Sequence, residues 1–305
     1  MIEPTLNYVT CPGAAAQGGA THRMAYWEWN HTGNPKHPHV IVCVHGLTRQ
    51  GRDFDVLARQ LGRHARVICP DVVGRGHSDW LAEPMHYGVP LYTNDMVALL
   101  QQVHQEAAIQ RLDWVGTSMG GLIGMSMAGN VALPLPTPVH KLLLNDVGPV
   151  LEWSGLERIA AYVGQSVCFE SEQQAADALR LLSAGMGPHS PKEWLDLSLP
   201  MLRRVEGGGF GLHYDPAIAQ PLKAMTQAQA VRGAEVLWRW YDAIQAQTLL
   251  VRGAESDLIT ANTASAMQVR GPLAQWVDLE GVGHAPTFVA DDQVAIARNF
   301  LLGDE

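Results

Sequence analysis

The chain has 305 residues, with 30 acidic against 21 basic side chains and a formal charge of −9 when histidine is neutral. Lys and Arg are scattered singly within that acidic balance, so the basic stripe that displaces counterions from phosphates is missing and nucleic acid is excluded as a partner. Hydrophobic residues are 47% and charged residues 17%, against roughly 25% charged in an average soluble domain, which excludes disorder and predicts a large core.

At the N-terminus, Glu3 and Pro4 stand where a secretory leader carries basic residues, and no apolar run follows, so no export is expected. The longest apolar runs, VIVCV at 40 to 44 and KLLL at 141 to 144, have strand length and fall far short of the ~20 residues a membrane span needs. No membrane partner is expected. The cysteines at 11, 43, 69 and 168 show neither CxxC nor metal-site spacing and read as reduced core thiols of a cytoplasmic protein.

Short apolar runs then alternate with helical segments, the pattern of a mostly parallel sheet. The first strong strand is HVIVCVH, His39 to His45, followed by a helix over Phe54 to Leu61 and the strand ARVICPD ending at Asp71. Thr93 is placed to cap a helix whose Met96, Val97, Leu99, Leu100 and Val103 form one stripe. Strands follow at 112 to 116 (LDWVG), 141 to 146 (KLLLND), 247 to 253 (QTLLVRG) and 274 to 281 (AQWVDLEG), and a helix from about Asp292 to Leu301 closes the series.

Between Gly148 and about Gly233 the strand signal disappears. Ser154 with Glu157, Ser171 with Gln174, and Ser190 with Pro191 and Glu193 have the spacing of helix capping boxes. The expected division is therefore a core of residues 1–148 and 233–305 with a helical cap over 149–232. Gly207, Gly208 and Gly209 make a flexible break in the cap, and Pro200 ends the helix that begins near Ser190.

Chemistry concentrates in the core. Gly116-Thr117-Ser118-Met119-Gly120 directly follows a strand and opens a helix, the arrangement that presents a serine on a tight, strained turn and needs glycines where a Cβ would collide. A serine hydroxyl is a weak nucleophile until a base removes its proton and a third group orients that base. The required acid and histidine stand later, in Ala254-Glu255-Ser256-Asp257 and in Val282-Gly283-His284-Ala285-Pro286, each just past a strand. That order places nucleophile, acid and base on the carboxyl rim of a parallel sheet, where such sheets bind ligands.

In CVHGLTRQGRDFD, PDVVGRGHSD, VGTSMGG, NDVGP, RGAESDLI and GVGHAP, standing in this order from about Thr21 onward, the chain resembles the α/β-hydrolase superfamily, in particular its small esterase-like and meta-cleavage-product-hydrolase-like members. The resemblance implies an eight-stranded, mostly parallel sheet flanked by helices, with the cap inserted after the sixth strand. It implies a triad of Ser118, Asp257 and His284, with the backbone amides of Leu47 and Met119 as oxyanion donors. Some relatives carry the acid after the sixth strand, where Asp146 stands. Asp257 is preferred here, and Asp146 is assigned to holding the strand end and the start of the cap. His45 shapes the oxyanion turn and is not a second base, and Asp71, Arg75, His77, Ser78 and Asp79 form a structural turn.

The expected reaction is hydrolysis of an ester, thioester or lactone of a small, largely apolar acyl group through an acyl-enzyme, with no metal and no cofactor. The expected partner is a small-molecule substrate; a homodimer is compatible with the sequence. Most of Trp153, Tyr162, Phe169, Trp194, Leu195, Met201, Phe210 and Met225 of the cap, with Trp238, Trp240 and Tyr241 just beyond it, read as the inner face of a helical cap, and enough remain to suggest an apolar acyl pocket under a lid. The nearest alternative is carbon–carbon cleavage of a vinylogous diketone by the same triad. Those enzymes usually place a tryptophan after the triad histidine, whereas Ala285 follows His284, which favours the ester. A receptor of this fold that has lost catalysis is the remote alternative, opposed by the presence of all three triad residues.

Overall fold

The computed structural model describes residues 3–13 and 20–303. In chain order the sheet elements are β1 (Thr5–Cys11), β2 (His22–Trp29), β3 (His39–Val44), β4 (Arg66–Asp71), β5 (Arg111–Thr117), β6 (Val139–Asn145), β7 (Leu202–Arg204), β8 (Phe210–Leu212), β9 (Gln247–Gly253) and β10 (Gln275–Leu279). The helices are α1 (Asp55–Leu61), α2 (Val89–Glu106), α3 (Met119–Gly129), α4 (Trp153–Tyr162), α5 (Glu172–Leu182), α6 (Pro191–Ser198), α7 (Ala219–Ala224), α8 (Gln227–Ala243), α9 (Ala261–Gln268) and α10 (Asp291–Leu302).

Eight strands form one sheet in the order β1-β2-β4-β3-β5-β6-β9-β10. From β4 to β10 every neighbour pair is parallel, while β1 pairs antiparallel with β2 and β2 antiparallel with β4. A parallel sheet is covered on both faces, so its strands read as continuous apolar runs. In β3 the two faces separate by alternation. Val40, Val42 and Val44 join the cluster that includes Leu100, Ile123 and Tyr241 from α2, α3 and α8. Ile41 and Cys43 join Leu57 of α1 and Ala297 of α10 on the opposite face.

The N-terminal pair β1–β2 has no counterpart in the sequence reading, because its half-polar residues at a sheet edge give no apolar run. Helix α2 begins a turn earlier than expected: Gly88 is its N-cap, Pro90 occupies the first turn, and Thr93 lies buried inside the helix. Proline's fixed φ already suits a first helical turn. Of the cysteines, 11, 43 and 69 are buried, but Cys168 is exposed on the surface and is not a core thiol.

The segment between β6 and β9 is helical but also contains the two-stranded β7–β8 hairpin. The glycines expected to be a flexible break close that hairpin: Gly207, Gly208 and Gly209 all take positive φ, and the Gly208 amide donates to the Val205 carbonyl at 3.1 Å. Ser190 and Glu193 form a reciprocal capping box, and α6 stops at Ser198, just before Pro200. The expected core–cap division at 232/233 falls within α8, which is capped at Thr226 by its own capping box and packs on α3. At Gly129 the two helices touch so closely that a Cβ would run into the Trp240 carbonyl. Among the described residues no helix is long and apolar enough to cross a membrane.

Candidate active site

Ser118 sits between β5 and α3 with φ 51° and ψ −114°, a strained backbone for a residue with a side chain. The turn exists because its neighbours have no Cβ: one on Gly116 would collide with the Gly120 carbonyl, and one on Gly120 with the carbonyl of Val44 on the adjacent strand. The Ser118 amide donates to the Asn145 carbonyl at 2.9 Å, and the Asn145 side chain in turn reaches the Thr117 hydroxyl at 2.9 Å and the Pro286 carbonyl at 2.8 Å. One asparagine at the end of β6 thus ties the serine turn to the loop that carries His284.

His284 Nε2 lies 2.9 Å from Ser118 Oγ, and its Nδ1 lies 2.6 Å from Asp146 Oδ2. An ionised carboxylate only accepts, so the proton belongs on Nδ1 and the Nε2 lone pair faces the hydroxyl. Asp146 is fully buried. Besides the imidazole, it accepts from the Gly253 amide at 2.9 Å and the Ser256 hydroxyl at 2.7 Å. Three donors therefore fix the carboxylate.

The expectation that Asp257 orients His284 is corrected. Asp257 makes no hydrogen bond to the imidazole. It is 44% exposed and holds Arg158 of α4 in a bidentate pair, at 2.5 Å to Nε and 2.7 Å to Nη2, and the bond to that guanidinium keeps its carboxyl below the ordinary range. The physical reason lies in strand order. Strand β6 is the direct neighbour of β9, with Asn145 opposite Val251, so the residue after β6 emerges against Gly253, where the loop after β9 begins. That loop serves the site through the Gly253 amide and the Ser256 hydroxyl. The NDVGP motif after β6 is the local signal for Asp146.

Leu47 lies in the loop after β3 and Met119 is the first residue of α3. The loop abuts the serine turn: a Cβ on Gly46 would lie 3.7 Å from Ser118 Cβ. His45, before it, is fully buried. Its Nε2 accepts from the Val72 amide at 3.0 Å and its Nδ1 donates to the Gly46 carbonyl at 2.7 Å, while burial pushes its pKa down to about 3. Both nitrogens are committed in the neutral ring, so His45 has no lone pair free for proton transfer.

Arg75, read from sequence as part of a structural turn, joins both candidate donor residues. Its fully buried guanidinium donates to the Leu47 carbonyl at 2.8 Å through Nε and reaches Met119 Sδ at 3.6 Å through Nη2. Nη1 donates to the Val73 carbonyl at 2.7 Å and the Tyr92 hydroxyl at 3.0 Å. Among the described residues no carboxylate pairs with it. Asp71, in the same turn, accepts from the amides of Gly51 and His77, and burial raises its pKa to about 6.

A cavity of about 220 Å³ opens over Ser118 and His284. Of the aromatic and methionine residues expected in the pocket, Tyr162, Phe169 and Met201 line it, with Ile159, Leu179 and Leu212. Tyr241 instead lies wholly in the core, its hydroxyl on the Met267 carbonyl at 2.7 Å. Elsewhere, Cys11, His22 and Asp95 bring three potential metal-ligand atoms within 4.8 Å of one another. His22 and Asp95 hydrogen-bond at 3.0 Å, and none of the three lines the cavity over Ser118.

Residues 39–297 match the family model described as the alpha/beta hydrolase fold. The chain is 46% identical over 303 residues, 98% of each protein, to the 3-hydroxybutyrate-oligomer hydrolase of Cupriavidus necator. It is 30% identical to the 2-hydroxy-6-oxo-2,4-heptadienoate hydrolase of Pseudomonas putida, over 43% of this chain and 44% of that protein. The crystal structure of an alpha/beta hydrolase from Novosphingobium aromaticivorans superposes with a TM-score of 0.81 at 33% identity, covering 99% of both chains.

Proposed function

Because the chain belongs to the α/β-hydrolase family, we propose that it is an ester hydrolase with Ser118 as nucleophile, His284 as base and Asp146 as the acid that orients it, acting on short esters of the 3-hydroxybutyrate type. The observation that carries this reading is the continuous hydrogen-bonded chain from Ser118 Oγ through both nitrogens of His284 to Asp146.

His284 Nε2 takes the Ser118 proton as Oγ attacks the ester carbonyl. The pair already stands within the 2.6–3.2 Å reach that transfer requires. Asp146 holds the tautomer and stabilises the imidazolium. The amides of Leu47 and Met119 receive the oxyanion, where a donor is worth roughly 10²–10³ in rate. The imidazolium then protonates the leaving alcohol, the acyl group stays on Ser118, and a water deprotonated by His284 releases the acid and restores the serine.

Hydroxybutyrate oligomers are joined by carboxylic esters, and the relative named for them matches this chain from end to end. The likeness to the dienoate hydrolase covers less than half of the chain, and Ala285 follows His284, so carbon–carbon cleavage has the weaker support. The small cavity, below the roughly 300–1,000 Å³ of drug-sized sites, favours short ester ends over a long acyl chain. Two measurements test the proposal. A serine-directed phosphonate is expected to add its mass to the Ser118 peptide. Among p-nitrophenyl butyrate, the 3-hydroxybutyrate dimer and a ring-fission dienoate, the two esters are expected to turn over and the dienoate not. An unlabelled Ser118, or preference for the dienoate, overturns it.

A further inference from the structure

Among the described residues, the Lys, Arg, Asp and Glu side chains on the wall of the cavity over Ser118 are Arg49 and Arg158, with no carboxylate, although the chain as a whole carries a charge of −9. Arg49 is engaged within its own surroundings, holding Asp53 at 2.6 and 2.8 Å and donating to the Leu197 carbonyl at 3.2 Å. Arg158 is different. It is 44% exposed, and Asp257 takes one hydrogen each of Nε and Nη2. A guanidinium has five N–H donors in a rigid fork, so beyond the Asp257 pair and a side-chain hydrogen bond with Tyr162 it still has donors for a further acceptor. Tyr162, one helical turn on, lines the same cavity.

A cation with open donors, held in a fixed orientation on an otherwise largely apolar wall, fits a ligand that is apolar for most of its length and anionic at one end. We infer that Arg158, aligned by Asp257, receives the free carboxylate end of a short hydroxy-acid ester. The inference rests on the ester-hydrolase reading for its substrate. An ester of a 3-hydroxy acid carries its carboxylate only a few bonds from the last ester carbonyl, a reach compatible with a cavity of about 220 Å³. Cleavage then releases one hydroxy acid at a time from the carboxylate end, and a capped, neutral ester loses the contact. Asp257 has a second effect: its own charge opposes the incoming carboxylate, which keeps the released acid from being held.

The test uses binding as well as turnover. In Ser118→Ala protein, calorimetry with 3-hydroxybutyrate and with its methyl ester is expected to give at least tenfold tighter binding of the acid. Arg158→Gln in that background abolishes the difference, and Asp257→Asn tightens the acid several-fold. In protein with Ser118 intact, Arg158→Gln lowers by at least tenfold the ratio of kcat/KM for the free-acid dimer to that for its methyl ester. Equal binding of acid and methyl ester, no binding of the acid, or an Arg158→Gln effect that scales both substrates alike, as a cap–core tether would, overturns the inference. Loss of p-nitrophenyl butyrate turnover in wild-type protein with acid-selective binding intact instead overturns the ester reading and leaves the carboxylate site standing.

Discussion

Asp146 and Asp257 follow neighbouring strands of one sheet, and their surroundings differ in nearly every physical respect. Asp146 is buried, with positive φ and three donors on its carboxylate, one of them His284 Nδ1. Asp257 is nearly half exposed and faces the cap, where Arg158 holds it. Both stand where a triad acid is found, so position along the chain cannot separate them. What separates them is whether the fold supplies donors enough to hold a carboxylate out of water. Burying a charge is tolerated only with such partners. Asp146 has them, whereas Asp257 pairs with one guanidinium at the surface.

The sharpest way to break this comparison is to neutralise each acid in turn. Asp146→Asn keeps the shape but can present an N–H to His284 Nδ1 and reverse its tautomer, and a loss of about 10⁴ in kcat is expected. Asp257→Asn is expected to cost at least a hundredfold less on p-nitrophenyl butyrate. Steady-state kinetics of the two variants decide it, and a larger loss at Asp257 would reverse the assignment.

A second contrast sets His45 beside His284. The neutral ring of His45 accepts from Val72 and donates to Gly46, and its pKa is lowered to about 3, chiefly by burial. An unfolded histidine titrates near 6.5. The unfolded state therefore binds a proton that the folded state refuses, and this share of stability is present above about pH 6.5 and lost as pH falls toward 3. Several kcal/mol are at stake at the acid end. Thermal unfolding as a function of pH is expected to show this limb. His45→Gln, which keeps a donor and an acceptor without a titratable ring, is expected to flatten it.

Arg75 and Ser256 extend the comparison outward, since each acts through a residue of the proposed machinery. Arg75→Met removes the donor from the Leu47 carbonyl and the cation beside Met119. A ten- to hundredfold fall in kcat with KM within about threefold is expected, partly restored by added guanidinium; a mere packing defect gives no such rescue. Ser256→Ala deletes one donor to Asp146. A hydrogen bond to a charged group contributes about 1.5–3 kcal/mol, so roughly tenfold in kcat is expected, measured against unchanged protein.

The parts legible in the sequence are those whose physics is local. The serine turn is written in Gly116 and Gly120, because the collisions they avoid lie within a few residues or on the next strand. The buried strands β3 to β6 and β9 are written in continuous apolar runs. Which of the two aspartates meets His284 was not legible: NDVGP and AESD each offer one, and the choice depends on β6 lying against β9, which no local pattern encodes. Nor was the role of Arg75, which joins residues 28 and 44 positions away. The β7–β8 hairpin, three residues a side, is too short for periodicity to register.

The smallest expected effect tests the same lesson inside the cap, where Ser154 and Ser190 carry the same capping-box spacing and only one of them caps. Ser190 Oγ accepts from the Glu193 amide at 3.3 Å, and Glu193 Oε2 accepts from the Ser190 amide at 2.7 Å; these bonds hold the Glu193 carboxyl below its ordinary range. Ser154 lies one residue inside α4, because the helix already begins at Trp153, and the Glu152 N-cap is anchored instead by its amide on the Leu258 carbonyl at 3.0 Å. That anchor joins the cap to the loop holding Ser256 and Asp257, so a long-range contact chose the helix start over the local motif. Ser190→Ala is expected to cost about 1 kcal/mol in denaturant unfolding and Ser154→Ala only a few tenths. Equal costs would mean that Ser154 caps after all, which would move the start of α4 from Trp153 to Gly155.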